Sequence, residues 1–301
     1  MLTEIEYIQL FRDCVVDKDK YPVIDKVIDQ LLQGRKVYTY IAKSIKYGEN
    51  YVRLSHSLVS ADAGLQQVLY PAGASFFTRY YADNTDSPFM PALGMGMGNV
   101  PFPSTGPANV ALPQANNLFS VNPAVDAAMQ QLVRVPRSLK NGSTGAEIPW
   151  YVIGLIHYIE CGFSFKKHLY NGDPLTGKTV HYPPGRPLSS EVGDAPYSFV
   201  ESAMDSLSFL HFNTQSNWRL PLLLHKLEQY NGMGYQRHTP PIHSPYLWSY
   251  SNQYQKGKFV EKKIKGHMKA IFEPDLVSKQ VGLAVVLKRM TDRCIITIPM
   301  Q

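Results

Sequence analysis

The sequence predicts an α+β fold, predominantly α, carrying a long irregular insertion, and three observations lead there. Apolar residues recur at helical spacing through the first 45 residues and again from residue 148 onward. The strand signal is short, at 179–182, within a section dense in turn formers. Between the two helical regions, residues 87–125 hold no charged side chain, and seven prolines there are interleaved with Gly94, Gly96, Gly98 and Gly106. Such a stretch cannot build regular helix or strand by itself. At 301 residues, one elaborated domain is as plausible as two. The pattern divides the chain into N-terminal helices over 1–46, an inserted arm over 47–140 and a helical domain over 141–301.

In chain order, Ile5, Ile8 and Phe11 mark a first amphipathic helix, and Val23, Val27, Leu31 and Tyr38 a second. Pro22 opens the second, at a position where its missing N–H removes no hydrogen bond. Residues 47–79 are ambiguous. The uncharged stretch keeps Phe89, Met90, Leu93, Met95, Met97, Phe102, Leu112, Leu118 and Phe119, so it lacks the polar, charged composition of ordinary disorder. It reads either as an arm laid on a partner or as a long loop packed on its own domain. A short helix follows at 123–133. The aromatic and aliphatic run 148–161 is a helix started by Pro149. Three more helices are expected at 199–209, 221–230 and 278–290.

The formal net charge of +6 favours an anionic partner, although only 256–269 is a dense basic run, of the kind that is usually a solvated face. A basic-aromatic motif for nucleic acid is lacking. Cys14, Cys161 and Cys294 are an odd number without paired spacing, which points to reduced, mostly buried thiols rather than a disulfide framework or zinc site. The first 13 residues carry acidic groups and an apolar stripe instead of a signal peptide's basic cap and apolar core. An apolar run of membrane-spanning length is also missing, so no membrane span is expected.

Glu160 is the leading candidate for chemistry. It ends an otherwise uncharged helix and is followed by Cys161, Phe163 and Phe165, so desolvation favours its neutral, proton-donating form. From composition alone, a capping or salt-bridged residue is the more ordinary reading of a glutamate so placed. The stretch Ile148-Pro-Trp-Tyr-Val-Ile-Gly-Leu-Ile-His-Tyr-Ile-Glu160, followed by Phe165 and His168-Leu-Tyr-Asn-Gly-Asp-Pro-Leu175, resembles a group of phage and bacterial lysozyme-like proteins. The likeness continues through 183–187, Glu201-Ser-Ala-Met-Asp-Ser-Leu207, Leu227-Glu-Gln-Tyr-Asn-Gly-Met-Gly-Tyr235, Ser244-Pro-Tyr-Leu-Trp-Ser249 and 252–254, and the opening helices resemble those of the same group. Tyr230-Asn231-Gly232 is also similar to the Tyr-Asn-x-Gly signature of goose-type lysozymes and lytic transglycosylases. There the tyrosine and asparagine line the sugar groove beside a single catalytic glutamate.

The resemblance implies a lysozyme-like fold and cleavage of the peptidoglycan glycan strand without a cofactor. Glu160 would be the general acid, and Tyr230 and Asn231 substrate-binding residues. The intervening hundred residues and the Cys161-Gly162 pair depart from the group's pattern. A second carboxylate is open: Asp173 either faces the cleft from its Gly-Asp-Pro turn or caps that turn. Glu201 reads equally well as a residue of a helix N-terminus, and Glu228 as structural. Tyr246 and Trp248, in a Pro-containing loop, are the candidate sugar platform, with core packing as the alternative for Trp248.

Two other readings compete. His157 with Glu160, and His225 with Glu228, stand one helical turn apart and could hold a metal, but no third ligand is identifiable by spacing, so no metal is expected. A phage tail or baseplate component using the domain as a scaffold would give the 47–140 arm a partner among virion proteins. The expected location is therefore a phage virion, or the host cytoplasm before release to the wall.

Overall fold

The computed structural model describes residues 1–55, 123–130, 133–264 and 267–300. By contacts the chain divides into two compact units, Met1–Val52 with Asn122–Gln301, and Arg53–Val121. The ambiguous stretch from residue 56 onward and the uncharged arm up to residue 122 lie outside the described residues.

The first unit is predominantly helical, with one two-stranded sheet among the described residues. Helix α1 spans Glu4–Arg12 and begins at a capping box, in which the Thr3 hydroxyl accepts from the Glu6 N–H and the Glu6 carboxylate accepts from the Thr3 N–H. Helix α2, Tyr21–Tyr47, carries Pro22 in its first turn and buries Ile24, Ile28, Leu31, Tyr38 and Ile41. After α3 (Pro123–Gln130) comes α4 (Trp150–Cys161), preceded by Pro149. The short α5 (Ser189–Val192) is followed by α6 (Phe199–Phe209), α7 (Leu220–Asn231) and the single-turn α8 (Pro245–Trp248). Strands β1 (Lys258–Ile264) and β2 (His267–Glu273) form an antiparallel hairpin, and α9 (Leu283–Asp292) closes the unit.

One expectation needs correction. Residues 179–182 form no strand, because the Asp173 carboxylate takes the Val180 and His181 N–H groups that a ladder would use. The basic run lies largely in the hairpin: Phe259 and Phe272 pair across it and pack with Tyr235 and His238, while Lys262 bridges to Glu273. All three cysteines are free thiols. Cys14 and Cys161 are buried and Cys294 is exposed.

Helix α4 packs chiefly on α2, which also meets α6 and α9, so α2 is the central post of the core. The α2–α4 approach depends on Gly154, where a Cβ would lie 2.6 Å from Leu31 Cδ2 and 2.8 Å from Tyr38 Cε2. Tyr38 cannot easily give way, since its hydroxyl lies 2.9 Å from the buried His157 Nδ1. Burial holds the His157 pKa down at about 4, so the imidazole is neutral at physiological pH. At the other edge α1 is tied to α7, where Glu228 accepts from the Tyr7 hydroxyl (2.6 Å) and from Gln236 Nε2 (2.5 Å).

Gly154→Ala sets two effects against each other. The helix gains about 1 kcal/mol of intrinsic propensity, while overlap in a closely packed core costs about 1–3 kcal/mol. With both overlapping neighbours fully buried, the second effect is expected to win. Urea unfolding should show a lower midpoint at unchanged slope, and a raised midpoint would refute this account of the α2–α4 contact.

Candidate active site

Seven consecutive residues of α4, 151–157, are buried, and Glu160 stands one turn beyond the last of them, partly open to solvent. The helix is stopped by Gly162 in the left-handed conformation (φ +57°), whose N–H reaches the His157 and Tyr158 carbonyls. From the C-terminal side, Gln280 Nε2 donates to the Ile159 carbonyl and the Val281 N–H donates to the Tyr158 hydroxyl. The end of α4 is therefore held on two sides.

The third support is the turn at 171–173. Gly172 has φ +78°, and a Cβ there would meet the Glu160 carbonyl oxygen at 2.6 Å, so only glycine permits this approach. The turn is fixed in its place by His168, whose backbone N–H donates to the Asp173 carbonyl and whose ring lies between Ser202 Oγ (2.9 Å) and the Gly177 carbonyl (2.7 Å). Through Ser202 it is also pinned to α6.

Against this frame, and among the described residues, the Glu160 carboxylate has one hydrogen bond, accepted by Oε1 from the Tyr246 hydroxyl at 3.0 Å. Burial pushes its pKa up to about 7, and the Tyr246 hydrogen bond pulls it only partly back. Tyr230 also faces this charge: burial first, and then the negative charge of Glu160, drive its phenol well above the ordinary range. The Tyr230 hydroxyl donates to the Leu169 carbonyl (2.7 Å) and lies 3.0 Å from Ser206 Oγ. Glu160, Tyr230 and Tyr246 thus converge from α4, α7 and α8, and burial biases the carboxyl toward its neutral form.

No family model, curated protein or solved structure matches the chain. The assignment of roles therefore rests on the residues themselves.

Asn231 is exposed at the last position of α7, one residue beyond Tyr230. Trp248 is 0% exposed, so its ring is core packing and offers no face to a ligand, which corrects its expected part in a sugar platform. Tyr246 is nearly as deeply buried, and what it gives to the site is its hydroxyl rather than a ring face. Asp173 has both oxygens engaged: Oδ2 accepts the Val180 and His181 N–H groups at 2.8 and 3.0 Å, and Oδ1 meets His181 Nδ1 at 2.6 Å. Burial would raise its pKa, but the His181 ring and those two N–H groups outweigh it and hold the carboxyl low. Asp173 secures a loop in this geometry.

The other carboxylates are committed too. Glu201 closes a capping box with Ser198 at the start of α6 and pairs with Arg134 at 2.8 Å. Asp205 receives the Arg186 guanidinium and the Tyr170 hydroxyl, both at 2.6 Å. Sequence reasoning missed the Tyr170–Arg186–Asp205 cluster, because these three residues carry no shared motif and meet only through the fold. Of the paired His and Glu residues, His157 packs among Phe163, Phe165 and Phe199, and among the described residues no group of three His, Cys, Asp or Glu side chains is arranged to hold a metal. An open groove of about 680 Å³ lined by Val15, Lys20, Tyr250, Asn252 and Lys279 includes none of the predicted site residues.

The raised pKa of Glu160 has a stability consequence whose sign is fixed. A carboxyl that titrates at about 7 when folded and at about 4.5 when unfolded favours the folded state fully below pH ~4.5, and that contribution is lost as pH rises to ~7. Allowing for the partial opening to solvent, the loss amounts to roughly 2 kcal/mol. Glu160→Gln should therefore stabilise the protein at pH 8 by about that amount and leave it nearly unchanged at pH 4.5. Urea unfolding at the two pH values measures this, and equal effects at both would contradict a buried, unpaired carboxyl.

Proposed function

We propose that this chain cleaves the peptidoglycan glycan strand between N-acetylmuramic acid and N-acetylglucosamine, with Glu160 as the general acid. The observation that carries the reading is the Glu160 carboxyl itself: fixed at a helix end, open on one side, lacking a cationic partner among the hydrogen bonds and ion pairs of the described residues, and titrating at about 7. Breaking a glycosidic bond requires such an acid near neutral pH. The resemblance of 148–175 and 230–232 to lysozyme-like proteins supports the same reading, and with it a lysozyme-like fold.

Glu160 gives its proton to the departing O4 of N-acetylglucosamine as the C1–O4 bond breaks. The resulting carboxylate stabilises the cationic muramyl C1 and then accepts a proton from the incoming nucleophile. That nucleophile is water, which leaves a reducing end, or the muramyl 6-hydroxyl, which closes an anhydro ring. With Asp173, Glu201 and Asp205 engaged elsewhere, a route through one carboxyl is favoured over one that needs a second. Tyr246 positions Glu160 and tunes it, and Tyr230 with Asn231 forms the adjoining wall of the sugar site.

Glu160→Gln should fold normally and lose clearing of purified cell wall by at least a hundredfold; undiminished clearing would remove Glu160 from the mechanism. Mass spectrometry of the digest identifies the product, reducing ends or anhydro-muropeptides. For the wild type, kcat/KM should fall as pH rises through about 7, where Glu160 loses its proton. Tyr246→Phe removes the donor that favours the charged form, so it should move that limb upward by roughly one pH unit. A limb that stays in place would mean that Tyr246 does not tune Glu160.

The second reading is a phage tail or baseplate component that keeps the domain as a scaffold or wall-binding module. The uncharged, apolar composition of 87–125 favours a partner-binding arm. Carriage on a virion, or release from the host cytoplasm, would bring either form to the wall, and among the described residues no helix is long and apolar enough to cross a membrane. A wild-type protein inactive on walls from several bacteria, yet present in particles, would establish this reading over the enzyme.

A further inference from the structure

The sugar platform expected at Tyr246 and Trp248 is absent because both rings are buried, so the question is which aromatic faces the substrate. Among the described residues the large aromatic side chains that stand exposed are Tyr47, Tyr182 and Phe209. Tyr47 ends α2, where it packs with Tyr51. Phe209 has the Arg186 guanidinium 4.8 Å above its ring. Tyr182 is the most exposed of the three, at 81%, and it belongs to the segment anchored to the end of α4.

That anchoring is unusually complete for a surface loop. The Tyr182 carbonyl accepts from Asn171 Nδ2 at 3.2 Å, and Asn171 adjoins Gly172, which lies against the Glu160 carbonyl. On the other side, the Asp173 carboxylate holds the Val180 and His181 N–H groups and the His181 ring. The loop is closed at its base by Thr179, whose N–H donates to the Arg186 carbonyl and whose hydroxyl donates to the Pro183 carbonyl at 2.5 Å. A buried carboxylate is thus spent on fixing a loop that displays Val180 (77% exposed) and Tyr182 to solvent. A scattered exposed tyrosine needs no explanation. Here the loop backbone that carries it is fixed to the turn lying against the Glu160 carbonyl, so the backbone share of the cost of ordering a binding surface is already met.

We propose that Tyr182 is the sugar-stacking platform of the Glu160 site, taking the apolar C–H face of an N-acetylhexosamine ring of the glycan strand. This inference rests on the reading of Glu160 as a glycan-cleaving acid. Pyranose rings combine an apolar face with a polar rim, and tyrosine matches both with its ring and hydroxyl. Asn171 and the Asp173–His181 pair act as positioning residues, through the loop. The His181 pKa is raised by its hydrogen bond to Asp173 and by the nearby charge, so the ion pair is strongest between the ordinary carboxylate and histidine ranges.

The test measures binding separately from cleavage. In a Glu160→Gln background, calorimetric titration with the tetramer of β-1,4-linked N-acetylglucosamine and with soluble, peptide-free glycan chains is compared for Tyr182, Tyr182→Ala, Tyr182→Phe and Tyr182→Trp. Tyr182→Ala is expected to weaken binding of both probes about tenfold, while Phe and Trp retain most of it. Among the described residues the hydrogen bond of Tyr182 to the frame is made by its backbone carbonyl, so all variants should keep the parent melting temperature. On active protein the Tyr182→Ala loss should fall on KM rather than kcat. Equal binding by Tyr182→Ala, no binding of either probe to the parent, or a Phe variant as weak as Ala would each overturn the platform. If instead the sugar probes bind through Tyr182 while the unmodified Glu160 protein cleaves no wall, the platform stands and the catalytic reading fails.

Discussion

Helix α4 has no polar face to turn toward water, and much of the molecule answers to that constraint. A helix that is apolar all round must be enclosed, and α2 provides the closest wall, at a distance that Gly154 sets. Enclosing the helix also encloses the approach to its only carboxyl. Glu160 sits at the helix C-terminus, where the macrodipole offers nothing to a negative charge, and the surrounding frame supplies a single hydroxyl. The raised pKa follows from the helix being buried more than from any special chemistry at the site. An apolar scaffold helix thereby becomes the means of keeping an acid protonated near neutrality.

The same frame explains how the glycine-rich turn matters at a distance from any reaction. Gly172 is required twice over, by its positive φ and by the backbone approach to Glu160. His168, between Ser202 and Gly177, stops the turn from shifting, and Ser202 belongs to α6, which packs on α2. The elements that define the core therefore also define where the acid sits, with little slack between them. For the proposed acid that stiffness matters, since small misplacements are costly in rate.

The helices were legible in the sequence because a 3.6-residue apolar period survives in α1, α2, α6 and α7, and because Pro22 and Pro149 mark helix starts. Glu160 was legible for a related reason: it is the first charge after a long uncharged run. The hairpin was not, because charges on both faces of β1, Lys262 on one and Glu261 on the other, mask the alternation that identifies a strand. Nor was the strand at 179–182 correctly read, since its β-branched texture is overridden by Asp173. Trp248 and Tyr246 looked like loop aromatics, yet Ser244 caps a one-turn helix there that packs on α9 and draws both rings inward. Contacts such as Glu160 with Tyr246, 86 residues apart, leave no local pattern to read.

Comparison among the buried carboxylates separates those with a cationic partner from those without one. Glu201 and Asp205 each have an arginine, and Asp173 has a histidine, so each gains an opposite charge when ionised. Glu228 and Glu160 have no such partner in the described contacts, and burial raises both. They differ in enclosure. Glu228 is sealed, 1% exposed, with two donors on one oxygen, which suits a group that ties α1 to α7 and exchanges protons with nothing. Glu160 has one donor among the described residues and is partly exposed, so of the two unpaired carboxyls it is the one that solvent can reach.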